Sequence, residues 1–162
     1  MEGKNIEKMN EYIAKIFEKL YSEFPNPTYI ESSTVTGLPS VDFNDWDAFR
    51  EFKTNKDTEL FISTAAYLFN EGYIRSSQLE SDGKPCDPLN WNVATLTNTV
   101  LTEKALQVLS ARPKALQGKS IIDISRTFKE EGIKAASKEL VSALAQAGIS
   151  LVDRKLKIRD NE

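Results

Sequence analysis

The chain has no histidine and a single cysteine among its 162 residues. Without imidazole it lacks the commonest metal ligand and the commonest general base near neutral pH. Serines such as Ser63 and Ser77 have no histidine to activate them, and Cys86 has neither a thiolate-stabilising imidazole nor a disulfide partner. Asp82, Cys86 and Asp87 share a turn-rich loop, yet two acids and one thiol punctuated by proline match no recognised ligand spacing. The remaining carboxylates are scattered through polar stretches and read as solvated surface. No metal, no cofactor and no enzymatic activity are therefore expected. Apolar runs near the roughly 20 residues needed to cross a bilayer are also missing, and the residues before Ile6 are too polar for a secretory leader. The expected location is the cytoplasm, with no membrane partner.

What is present suits a folded core: hydrophobic residues make up 40% and charged residues 28%, which argues against disorder. The length allows one compact domain, or one small domain with an extension. Ile6, Met9, Ile13, Ile16, Phe17, Leu20 and Phe24 recur at three- and four-residue steps and predict an amphipathic first helix stopped by Pro25 and Pro27. The β-branched stretch 29–35 predicts a short strand whose partner cannot be read. Asn44 is positioned to cap a short helix carrying Trp46, Phe49 and Phe52 on one side, with Trp46 as a core anchor. Asp57 or Thr58 then caps a third helix in which Leu60, Phe61, Thr64, Ala65 and Leu68 share a face, closed by Gly72. Residues 73–79 and 93–97 predict a hairpin, and Thr102 caps a helix from Glu103 to about Ser110.

Beyond Pro113 the pattern changes. Ser120 and Asp123 form a capping box ahead of Ile121, Ile122, Ile124 and Phe128. A second apolar set, Ile133, Leu140, Val141, Leu144 and Ala147, points in a different direction, so a kink or break is expected at Gly132. Residues 152–159 fit an edge strand or a frayed basic tail.

The run Thr64-Ala-Ala-Tyr-Leu-Phe-Asn-Glu-Gly-Tyr-Ile-Arg75, a turn-rich loop and Leu101-Thr-Glu-Lys-Ala-Leu-Gln-Val-Leu109 resemble the winged-helix superfamily, in the version found in small bacterial and phage proteins. The resemblance covers about 6–110. It implies that the third helix ends in Gly72 and enters the hairpin directly, and that a helix opening Leu101-Thr-Glu-Lys104 follows. The position after Lys104, usually glycine in that family, is Ala105. The expected architecture is mostly α with a small β-hairpin (α+β): a winged-helix-like domain over 1–112, with a C-terminal helical extension over 113–162 packed on it.

Winged-helix proteins often read DNA through the third helix. Opposite the apolar stripe of that helix stand Glu59, Ser63, Ala66 and Asn70, flanked by Lys56, Ile62 and Tyr67, a face with little positive charge for phosphates or guanine. Residues 1–110 hold 10 Lys/Arg against 17 Asp/Glu, and residues 111–162 hold 11 against 7, giving −7 and +4 within a net −3. These halves either attract each other within one fold or offer the basic one to a partner.

Two functions follow as expectations. The first is a non-catalytic module for protein interaction or self-association, including a homodimer, through Ile133, Leu140, Val141 and Leu144. The alternative fate of that stripe is closure onto Leu109, Leu116 and the first helix. The second function is a DNA-binding transcriptional regulator contacting duplex DNA through Arg75, Lys84, Lys114, Lys119, Arg126, Lys129, Arg154, Lys155, Lys157 and Arg159.

Overall fold

Pro25 and Pro27 fix where the first helix ends, because proline offers no N–H and its ring clashes with the preceding turn. In a computed structural model, which describes residues 2–110 together with 120, 122 and 123, helix α1 runs Glu2–Glu23. Its buried stripe holds Met9, Tyr12, Ile13, Ile16, Phe17 and Leu20. Phe24 lies past the helix end and is exposed.

The stretch expected as one strand divides in two. Strand β1 is Thr28–Glu31, and Ser32–Thr36 coil into a short helix α2. Side-chain hydroxyls favour that turn: Thr34 Oγ1 donates to the Glu31 carbonyl at 2.7 Å, offering the backbone a local alternative to pairing. Helix α3 is Trp46–Thr54, capped one residue later than expected: the Asp45 carboxylate accepts from the Asp47 and Ala48 N–H groups at 3.1 and 3.2 Å. Helix α4 is Lys56–Asn70, capped earlier than expected by Asn55, whose Oδ1 accepts from Asp57 N–H at 2.8 Å.

Phe61, Ala65 and Leu68 of α4 are closed to solvent and join Ile13, Phe17 and Leu20 in one core, as the two stripes predict. Leu60 is only half-buried, whereas Tyr67, expected beside the outward face, is buried.

Strands β2 (Ile74–Ser76), β3 (Leu89–Asn90) and β4 (Thr95–Leu101) complete a small antiparallel sheet of four strands, larger than a lone hairpin. The spatial order is β1-β4-β2, with β3 also on β4. Since β1 and β3 both pair with Thr95 and Leu96, they lie on opposite sides of β4. The outgoing strand is shorter than 73–79, and the return strand is displaced toward 101. A bulge explains why alternation misplaced it. Between Ile30↔Leu96 and Thr28↔Thr99, β4 holds one residue more than β1, and Asn98 takes a left-handed φ of 48° there. Helix α5 is Glu103–Ser110, burying Ala105 and Leu109.

The junction of α4, β2 and α5 is closely tied. Gly72 sits at φ 79°, its N–H donating to Phe69 O at 3.0 Å and that of Tyr73 to Leu68 O at 2.8 Å, the Schellman pattern of helix closure. Thr102 Oγ1 donates to Gly72 O at 2.6 Å and accepts from Ala105 N–H at 3.3 Å, so one hydroxyl caps α5 and ties it to the end of α4. Lys104 Nζ donates to Glu71 O at 2.7 Å and stands 4.5 Å from the Tyr73 ring centroid, while that ring meets Phe17 edge-on at 6.2 Å. Ser120 and Asp123 form the reciprocal capping box, Asp123 N–H donating to Ser120 Oγ and Ser120 N–H to Asp123 Oδ2, each at 3.3 Å, and Ile122 joins the core. The other expectations for 113–162 lie outside the described residues.

Candidate interaction surface

Helix α4 offers little of itself to a ligand. Among its residues only Lys56, Glu59, Ser63 and Asn70 are exposed, one cation opposite one carboxylate along a narrow stripe. The other faces pack against α1, α2 and α3.

Two of the residues expected to contact DNA are described. Arg75 is half-buried and folds back along its strand, Nη1 donating to Ser76 O at 3.0 Å. It lines a shallow hollow with Phe69, Gly72 and Thr102. Lys84 is exposed in the loop between β2 and β3, its ammonium 3.9 Å from Asp82. Lys114, Lys119, Arg126, Lys129, Arg154, Lys155, Lys157 and Arg159 lie outside the described residues, as do Ile133, Leu140, Val141 and Leu144. Among the described residues no three His, Cys, Asp or Glu side chains gather as a metal site, and no helix is long and apolar enough to cross a membrane.

A cluster of ionisable groups occupies the seam of α1 with α2 and α4. Lys8 Nζ meets Asp57 Oδ1 at 2.6 Å, and Lys15 Nζ donates to Val35 O at 3.0 Å. Burial raises the Glu11 carboxyl, against the opposing pull of Lys15 and Lys8, and burial lowers the Lys15 ammonium although Glu11 acts the other way. Burial, then the charges of Asp57 and Glu11, push the Tyr12 phenol above its ordinary value. The Lys8–Asp57 pair ties α1 to α4, and the Lys15 bond to the Val35 carbonyl ties α1 to α2.

The surface that stands out is aromatic and was not expected. Trp46 is 65% exposed, which corrects its reading as a core anchor, and Phe43 is 46% exposed. Only Phe52 of the α3 set is buried. The rings nonetheless support one another: Phe43 meets Phe49 and Phe52 edge-on, at 5.9 and 5.5 Å between centroids, and Trp46 lies 6.1 Å from Phe49. The Arg50 guanidinium sits 5.6 Å from the Trp46 ring centroid, and Lys53 Nζ donates to the carbonyl of Trp91, itself 53% exposed. Trp46, Phe49, Arg50 and Lys53 follow the three- and four-residue spacing of one helix face.

Beside this face lies an open groove of about 330 Å³ lined by Leu38, Pro39, Val41, Asp42, Glu51 and Phe52, among others. Phe52 lines it and also meets Phe43 in the ring cluster, so the aromatic cluster and the groove share a residue. A helix-period stripe in the sequence marks residues that share a side. It gives no sign that α4 contacts only part of it.

Comparison with protein-family models, with curated proteins and with solved structures gives no match to this chain.

Proposed function

We propose that this chain is a non-catalytic winged-helix protein that serves protein interaction or self-association rather than reading duplex DNA. The winged-helix reading is supported by the order of elements, by β1 pairing alongside β4, and by the lock between Glu71-Gly72-Tyr73 and Thr102-Glu103-Lys104. Ala105, in place of the family's usual glycine, has its methyl group enclosed in the core.

The observation that carries the functional reading is the exposed edge of α4. A helix laid in the major groove needs cations for phosphates and donors for base edges, and here the exposed set is Lys56, Glu59, Ser63 and Asn70. Residues 1–110 carry a net −7, which repels the duplex over most of this body. Self-association through Ile133, Leu140, Val141 and Leu144 belongs to the same proposal. The competing regulator reading rests on the +4 surplus of residues 111–162.

Fluorescence anisotropy of a labelled mixed-sequence duplex, titrated with the full chain, separates the two. The proposal expects no saturable binding at about 50 mM salt and protein near 10 µM. Saturable binding that weakens steeply with added salt contradicts it.

A further inference from the structure

We propose that the α3 face and its adjoining groove form a docking surface for a cationic, apolar-bearing segment of a partner protein. This rests on the interaction-module reading and names the chemistry of the partner. Three observations meet at one place. The exposed rings of Trp46, Trp91 and Phe43 provide flat apolar area, and tryptophan and arginine are the residue types that most often anchor protein interfaces. A large, solvated tryptophan packed onto other rings, rather than isolated, has the form of an interaction site.

The second observation is the groove, whose apolar walls Leu38, Val41 and Phe52 accept a side chain of leucine size beside the rings.

The third is charge. The two cations on this face, Arg50 over Trp46 and Lys53 on the Trp91 carbonyl, keep their charge and are outnumbered by the four acids Asp42, Asp45, Asp47 and Glu51. The carboxylates of Asp42 and Glu51 line the groove, and Asp45 and Asp47 flank its helix. Asp42 and Asp45 each accept local backbone N–H groups, yet a carboxylate has roughly four acceptor positions, which leaves capacity for an incoming lysine or arginine. Local charge and the net −7 of residues 1–110 both favour a basic segment, and both disfavour a nucleic acid stacking on the same rings. An amphipathic segment with lysine or arginine beside leucine-like anchors fits: the apolar side chain enters the groove, and the cation meets Glu51 and Asp42.

Of the chain's two tryptophans, Trp46 stands on this face and Trp91 is joined to it through the Lys53 bond to its carbonyl, so tryptophan emission reports on the site. The test titrates the full-length protein with a short amphipathic leucine-lysine peptide, following tryptophan emission. The same peptide with glutamate for lysine and an oligothymidylate serve as comparisons. Saturable change with the lysine peptide alone is expected, weakened about tenfold or more by Asp42→Asn with Glu51→Gln and by added salt. Trp46→Ala, read through Trp91, is expected to weaken it as well. Circular dichroism establishes that each variant is folded. No response to the lysine peptide, an equal response to the glutamate peptide or the oligothymidylate, or unchanged binding by the folded variants overturns the proposal. Failure here with no duplex binding leaves the interaction-module reading standing, whereas duplex binding by the full chain removes that reading itself.

Discussion

Along α1, Ile13, Ile16, Phe17 and Leu20 are all but closed to solvent, whereas along α3 only Phe52 is buried and Trp46 stands 65% exposed. Both helices carry apolar residues at three- and four-residue steps. The difference lies in what covers them: α1 packs against α4 and the sheet, while α3 packs on α4, leaving Phe49 half-buried and Trp46 to solvent. Periodicity therefore identifies a shared side, and the tertiary neighbours decide whether that side becomes core or surface.

The largest expected effect lies on the buried side. Phe61 is fully enclosed at the junction with α1, so Phe61→Ala is expected to cost on the order of 3 kcal/mol or more in denaturant unfolding. A loss under about 1 kcal/mol contradicts the assignment of this region as the core.

Of next size are effects that depend on backbone and charge rather than packed volume. Gly72 has open space where a Cβ would stand, so Gly72→Ala is opposed only by the left-handed backbone at φ 79°. Its expected cost is about 1 kcal/mol in thermal or denaturant melts.

Tyr12 tests the α1 seam through pH. Its phenol is held above the ordinary value of 10.0 by burial and by the nearby charges of Asp57 and Glu11. Above pH 10 the folded chain therefore keeps a proton that the unfolded chain has released. The stability linked to it is fully present below pH 10 and falls as pH rises beyond it, by up to about 1.4 kcal/mol per pH unit. Unfolding midpoints at about pH 9 and about pH 11 should diverge more for the wild type than for Tyr12→Phe, which lacks this proton. Equal slopes would remove Tyr12 from the account.

The parts of the molecule legible in sequence are those settled over a few residues. Gly72 as helix terminator, Thr102 as cap and the Ser120–Asp123 box each depend on local hydrogen bonds and stand as expected. The α+β class and the α1–α4 core follow from long stripes with a clear period. Strand β1 could not be paired by reading because its partner, β4, lies far along the chain, and the bulge at Asn98 hides the alternation of that partner. The candidate surface was missed for a related reason. Trp46 has the residue type and spacing of a core anchor, and only the placement of α3 relative to α4 and the 42–45 loop leaves it outside. Neither Trp91 nor the groove beside Phe52 has a local sequence signal, since both arise where segments distant in sequence converge.

The smallest expected effect bears most directly on the comparison. If α3 carries a working surface, removing its largest exposed side chain leaves the fold unharmed. Denaturant unfolding of Trp46→Ala beside the wild type, followed by far-ultraviolet circular dichroism, is predicted to give stabilities within about 1 kcal/mol of each other, the size of one exposed ring pair or cation–π contact. A loss of about 3 kcal/mol, the size associated with a buried aromatic, would make Trp46 core and contradict the account.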